Sequence, residues 1–277
     1  MRNIYLIQNS YGILNSKLSG FKYSLELIKN FIEDYIFIDK ADDLISTLNR
    51  VYKKIEIVNT SVNNIDVFIG GDHSTSIATI SKVYKPGMKL IWIDAHGDIN
   101  TTKTSLSNNY HGMPLAILTG LETINTDFDL PIVPFSDILY IGIRSLDPEE
   151  EKTIIRNNIK ILDSSLGNYQ EIIKDFVGDN AVFISFDVDA LGFDIMPSTG
   201  IDVTGGGGGL KLEKSKNLFE YLFTFNIVGL DIMELDMELG SVSEKITSLR
   251  TLFYILCSWD IFINTEFLEN IIEDNKI

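Results

Sequence analysis

Four separate stretches of this chain are apolar runs that lead directly into metal-ligating or acid–base side chains, and that recurrence constrains the fold more than any other feature. KLIWI at 89–93 runs into DAHGD at 94–98, and IDVFI at 65–69 runs into GGDHS at 70–74. AVFISF at 181–186 delivers Asp187 and Asp189, and IVGLDIM at 227–233 delivers Glu234. A run without polar alternation suits a central parallel strand covered on both faces by helices. In open α/β sheets, ligand sites lie beyond the carboxyl ends of such strands, where side chains converge without filling the core. The expected fold is a three-layer α-β-α domain around a mostly parallel sheet, with His, Asp-x-His-x-Asp, Asp-x-Asp and Glu gathered at one edge.

The rest of the chain fits that alternation. Residues 3–8 read as a strand, and Phe21, Leu25, Ile28 and Ile32 recur at helical spacing before a short run at 35–38. An amphipathic stretch at 41–58 precedes the strand that carries His73, and a short helix at 75–84 is stopped by Pro86 and Gly87. Residues 97–110 are polar and aperiodic, a loop beside the site, and His111 opens a helix that runs through Leu118. Residues 139–143 form another strand, and Asp147 with Pro148 caps the next helix. The one long interruption, 190–209, ends in five glycines at 205–209. No Lys-Ser/Thr follows them, so they are a rim segment and not a phosphate loop. A helix at 211–223 precedes the last strand, and Ser241 to Glu244 resembles a capping box before a long C-terminal helix. With no repeat and no linker, residues 1–277 are expected to form one domain.

Composition narrows the partners. A net charge of −16 argues against nucleic acid and anionic membranes and suits a cationic small molecule. The lone Cys257 excludes an internal disulfide and fits a reducing compartment. The first residues lack the pattern of a secretory signal, and the apolar stretch 252–263 is interrupted by Asp260 and too short to span a bilayer, so a cytoplasmic protein is expected.

All three histidines of the chain, His73, His96 and His111, fall in or beside these motifs. Asp187 and Asp189 are two apart, so a strand continuing through both would point them to one face, where two carboxylates repel unless a cation lies between them. Asp94, Asp98, Asp187, Asp189, His73 and His96 together offer carboxylate and imidazole ligands without thiolate, which suits borderline-hard divalent ions. This set exceeds what one open catalytic ion needs and matches two ions that share carboxylates. Such a pair lowers the pKa of a water held between the ions.

At these residues the chain resembles the arginases, within the ureohydrolases. GGDHS at 70–74, DAHGD at 94–98, SFDVD at 185–189 and GLDIME at 229–234 match that family's motifs in order and spacing over residues 65–240. The resemblance implies a sheet of about eight strands and two Mn²⁺ per chain. His73, Asp94, Asp98 and Asp187 would hold one ion, and His96, Asp94, Asp187 and Asp189 the other. It further implies that metal-bridged hydroxide attacks the guanidinium carbon of L-arginine, giving L-ornithine and urea. Asp98 counts among the catalytic groups as well as the ligands, Glu234 would receive the guanidinium, and His111 would shuttle protons. Asn100, Ser107 and Asn109, in DINTTKTSLSNNYHGMP, fall where the substrate α-carboxylate binds, and Asp147 falls where the α-amino group is recognised. A homo-oligomer, trimer or hexamer, is the implied assembly.

The chain also departs from the family pattern. The early GP signature is replaced by KLSGFKYSLELI, Gly192 and Phe193 stand where DP follows DVDAL, Ile201 replaces a threonine, and Glu213 stands where some arginases carry an arginine at trimer contacts. Hydrolysis of agmatine or another guanidino compound is the alternative activity, and a non-catalytic, metal-binding relative with a regulatory or assembly role is the reading from another class.

Overall fold

The computed structural model describes residues 3–11, 20–57, 65–162, 166–200, 208–263 and 265–267. Ile201 and the first three glycines of the five-glycine run lie outside them, as do residues 17–19 of the segment at the missing GP signature.

Eight strands form one sheet in the order β2-β1-β3-β8-β7-β4-β5-β6, and every pairing is parallel. They are β1 (Asn3–Ile7), β2 (Ile36–Ile38), β3 (Asp66–Ile69), β4 (Lys89–Ile93), β5 (Ile138–Ile141), β6 (Lys160–Leu162), β7 (Val182–Asp187) and β8 (Ile227–Met233). The helices are α1 (Gly20–Ile28), α2 (Leu44–Lys54), α3 (Ser76–Val83), α4 (Pro114–Leu118), α5 (Pro148–Arg156), α6 (Tyr169–Val177), α7 (Leu212–Leu222) and α8 (Val242–Ile255). Successive residues of a strand point to opposite faces, and the central strands divide accordingly. Leu90, Trp92, Phe183 and Phe68 pack with α2, α3, α4 and α5, while Ile91, Ile93, Ile184, Phe186 and Ile232 pack with α1, α6, α7 and α8. Two apolar cores thus sandwich the sheet, which is why its central strands carry no polar alternation.

Several sequence expectations need adjustment at their ends. The helix expected over 41–58 begins only at Leu44, because Asp43 accepts a hydrogen bond from Ser46 N at 2.8 Å and caps it. The first helix gives way at Ile28 to a 3-10 turn, Lys29–Phe31. The strand expected at 139–143 is Ile138–Ile141, and the helix expected from His111 starts at Pro114, with His111 on a 3-10 turn before it. Ser241 and Glu244 do form the capping box of α8. Among the described residues, no helix is long and apolar enough to cross a membrane.

β3, β8, β7 and β4 are consecutive in the sheet, so the four motif-bearing strands end side by side. The turn after β3 needs its glycines: a Cβ on Gly71 would stand 1.6 Å from the carbonyl oxygen of Asn9, at the end of β1. That close approach lets Asp72 N donate to Asn9 O at 3.1 Å, and Asp72 in turn accepts from Ser74 N, which sets the turn that presents His73.

Candidate metal centre and substrate cleft

His73 is the innermost group of the site. Its ring stacks on Trp92 with centroids 4.2 Å apart, and it is almost wholly buried. Nδ1 lies 3.1 Å from Asp94 Oδ2, 3.0 Å from Asp98 Oδ2 and 3.3 Å from Asp187 Oδ2, yet makes no hydrogen bond. Asp94 is pinned by Trp92 Nε1 at 2.9 Å and by His96 N at 2.7 Å. On the other side of Asp94, His96 Nδ1 lies 3.0 Å from Asp189 Oδ2 and 3.5 Å from Asp94 Oδ1.

Asp187 and Asp189 do not share a strand face. β7 ends at Asp187, and a 3-10 turn, Val188–Ala190, swings Asp189 round instead. Asp187 Oδ1 accepts from Asp189 N at 2.8 Å, Asp189 Oδ1 accepts from Ala95 N at 3.2 Å, and Arg144 holds the turn by donating to Asp189 O at 2.6 Å. The two carboxylates therefore reach the site from different backbone directions. Asp94 belongs to two groups whose ligand atoms lie within 4.8 Å of one another, one with His73 and Asp187 and one with His96 and Asp189.

The charges in this cluster pull against one another. Burial, with the neighbouring charges of Asp189 and Asp94, pushes the Asp187 carboxyl well above its usual range, and burial with Asp94 pushes Asp98 up to about 6. Burial opposes protonation of His96, but Asp189 and Asp94 outweigh it and push its pKa up to about 12. Asp94 is lowered despite its burial, because the neighbouring His73 and His96 rings outweigh it. Protons are thus drawn in to offset the carboxylates, a task that divalent cations perform when such ligands bind them. With an unbonded imidazole nitrogen amid three carboxylate oxygens, the donor set fits a metal centre.

Glu234 stands beside this cluster on a left-handed backbone, φ 64°, held by its own N–H donating to Gly71 O at 3.0 Å. Its Oε1 accepts from His73 N at 2.7 Å. His111 Nδ1 lies 3.6 Å from the same oxygen, and although burial works against protonation, Glu234 raises its pKa to about 9. Asp98 also takes a left-handed backbone, φ 49°, where the chain turns out of the DAHGD segment.

A cleft of about 170 Å³ opens over these groups, and Asn100, Ser107, Asp147 and Glu234 are among its lining residues. Asn109 is not among the described residues that line it. Asn100 is engaged at both ends of its amide: Nδ2 donates to Asp147 Oδ2 and Thr104 Oγ1 donates to Asn100 Oδ1, each at 2.9 Å. Asp147 precedes α5 as its N-cap. Glu150 was not singled out in sequence, yet its oxygens accept from Asp147 N at 3.0 Å and from Ile99 N at 3.1 Å, tying the cap to the DAHGDIN loop. Ser105, Ser145 and Thr199 also line the cleft without having been singled out in sequence, and the Thr199 hydroxyl is buried without a hydrogen bond. Proximity to the motifs was the only available signal for Ser105 and Ser145.

Residues 15–256 match the sequence model of the Arginase family. The chain belongs to the arginase family. It is 33% identical to an arginase of Glaciozyma antarctica over 222 residues, which cover 74% of this chain and 64% of that protein. It is 34% identical to Arginase-1 of Rattus norvegicus over 204 residues, covering 66% of this chain and 61% of that one. The chain thus spans less than two thirds of the length of these curated relatives. A solved arginase of Entamoeba histolytica, in complex with L-ornithine, superposes with a TM-score of 0.78 at 24% identity, covering 92% of this chain and 97% of that one, and so shares the fold. A putative agmatinase from Clostridium difficile superposes at 0.70 with 19% identity, covering 93% and 97%. The arginase-family fold therefore accommodates this chain nearly end to end, while sequence likeness is weaker than shape likeness.

Proposed function

We propose that this chain, as one arginase-like metallohydrolase domain, hydrolyses the guanidinium group of L-arginine to L-ornithine and urea with two Mn²⁺ ions. The observation that carries the reading is the pair of His/Asp groups sharing Asp94 at the floor of a carboxylate-lined cleft. His73, Asp94, Asp98 and Asp187 would hold one ion, and Asp94, His96, Asp187 and Asp189 the other. Two such ions, when bound, supply a water of lowered pKa and neutralise the carboxylates.

The protein's own groups do the rest. Glu234 spends Oε1 on the His73 amide, which leaves Oε2 to accept from the guanidinium. His111, protonated at neutral pH under the influence of Glu234, gives a proton to the amine that leaves as the carbon–nitrogen bond to the side chain breaks. Asp147 is the anionic partner for the substrate α-amino group, and Asn100, Ser107 and Asn109 are the polar partners for its α-carboxylate. The Asn100 amide must release Asp147 or Thr104 to do this. That prior engagement is what favours the second reading, hydrolysis of agmatine, which has no α-carboxylate. The assembly that goes with the first reading is a trimer or hexamer, and Glu213 bonds within the chain, accepting from Tyr254 at 2.9 Å.

Urea release from L-arginine and from agmatine by the Mn²⁺-loaded protein, with bound metal counted in the same sample, tests these readings. Urea from arginine alone supports the proposal, and urea from agmatine alone moves the assignment to the second reading. Two bound ions with no urea from either would leave the non-catalytic relative.

A further inference from the structure

His96 and Asp189 reach the site from two loops that the sheet itself does not hold together. The β4–β7 ladder ends with Ile93 opposite Phe186, and each of the two residues lies three positions beyond that pair. Their neighbours are better anchored. Asp187 still pairs with Met233 of β8, and Asp94 N donates to Ile141 O at 3.0 Å. Beyond a ladder's end the backbone is held only by whatever cross-links remain, and such segments open most readily.

Arg144, just after β5, links the two loops. Its own N–H and that of Ser145 both donate to Ala95 O at 2.9 Å, which grips the DAHGD loop between Asp94 and His96. The guanidinium then crosses to the other loop, Nη2 donating to Asp189 O at 2.6 Å and Nη1 to Ala190 O at 3.4 Å. Ala190 O also accepts from Leu210 N at 2.9 Å, so the bond to Asp189 O is the main link. Gly142 permits the close approach: its φ is 92°, and a Cβ there would stand 3.2 Å from Asp94 O. The half-buried guanidinium leaves Nε without a hydrogen bond, so the side chain is placed for these carbonyls and not for its own saturation.

With the backbones held at this separation, Ala95 N donates to Asp189 Oδ1 at 3.2 Å, and Asp189 Oδ2 comes to 3.0 Å from His96 Nδ1. His73 is fixed by other residues, through Glu234, Ser185 and the Trp92 ring. We propose that Arg144 is a positioning residue for one ion of the pair: it holds Asp189 against His96, and its loss weakens the ion on that side while sparing the ion on the His73 side. This consequence rests on the metal-centre reading above, but the placement of Asp189 is a property of the metal-free protein.

Arg144→Met removes both side-chain bonds and keeps the backbone link to Ala95. Amide exchange in the metal-free protein reads the placement directly. Ala95 N–H, which needs Asp189, should lose protection in Arg144→Met, while His96 N–H, bonded to Asp94 Oδ1 at 2.7 Å, should keep it. In Mn²⁺ titrations one ion should weaken about tenfold to a hundredfold, the usual effect of losing a group that orients a ligand, with the other within a few-fold of wild type. In a His96→Ala background, Arg144→Met should change the affinity of the remaining ion little, since both substitutions act on the same side.

Unchanged protection of Ala95 in folded Arg144→Met, or equal weakening of both ions, overturns the proposal. If Arg144→Met does not fold, Arg144→Lys takes its place. A single ammonium lacks the fork that spans both carbonyls, so the same ion should still weaken, and wild-type affinity for both ions then overturns it. A wild type that binds no Mn²⁺, with Ala95 alone losing protection in Arg144→Met, would refute the metal-centre reading and leave the positioning role standing.

Discussion

The floor of the cleft and its rim are built by different means. On the floor, His73, Asp94 and Asp187 follow directly from the ends of central strands, are almost wholly buried, and are fixed by neighbours that leave them no other arrangement, such as Trp92 on Asp94. On the rim, Asn100, Ser107 and Asp147 sit on loops, and their partners are largely one another: Asn100 with Asp147, and Ser107 Oγ accepting from Asn109 N at 3.2 Å. A floor set by sheet register cannot adapt without disturbing the core, whereas a rim closed by its own side chains can exchange those bonds for bonds to a substrate. On the proposed function, the difference would assign chemistry to the sheet and selection to the loops.

The sharpest way to test that division is to damage the floor. Asp187→Asn should lower the metal content below two ions and take urea release to background; full activity with two ions bound would remove Asp187 from the centre. His111→Ala leaves the strand ends intact, so metal content should stay at two while kcat falls about 10²–10⁴-fold, the usual worth of a positioned proton donor. A loss of metal in that variant would make His111 a ligand.

The rim variants should do less. Asp147→Ala should lower kcat/KM for arginine about tenfold to a hundredfold, as expected for a lost hydrogen bond to a charged group, with little change for agmatine. Its loss of the α5 cap should cost about 1 kcal/mol in thermal or urea unfolding. Equal effects on the two substrates would reduce Asp147 to a helix cap, and loss of metal would mean that rim and floor are one unit. Smallest of all, Thr104→Ala frees Asn100 Oδ1 and should cost about 1 kcal/mol or less of stability; KM for arginine should not rise, since the amide is released toward the substrate. A large rise in KM would mean that Thr104 holds Asn100 in its binding position.

Much of the floor was legible because each motif follows an uninterrupted apolar run, and an apolar run that ends in His or Asp leaves few places for that side chain except a strand end. What the residues could not reveal was non-local. The order β3-β8-β7-β4 joins segments more than 150 residues apart, and no local pattern encodes which strand becomes whose neighbour. Spacing suggested one face for Asp187 and Asp189, but the backbone leaves the strand between them, and only the Arg144 and Ala95 contacts show why. Glu150 gave no signal in sequence because its second partner, Ile99, comes from a distant loop.

The strand order also governs when the site can exist during synthesis. β3 and β4, which lead to His73 and Asp94, leave the ribosome early, but three inter-strand steps, roughly 14 Å, separate them in the finished sheet. β8 and β7 fill that gap, and they are among the last strands made. Until residues 182–233 have emerged, the facing edges of β3 and β4 have no partners and the ligands they carry cannot converge. A nascent chain at that stage presents two unpaired parallel edges, the kind of surface that invites aggregation, and cannot use cation capture to protect itself. Metal loading of the proposed centre would therefore be a late event in the life of the chain, and interruptions of translation before β7 should be far more damaging than interruptions after β8.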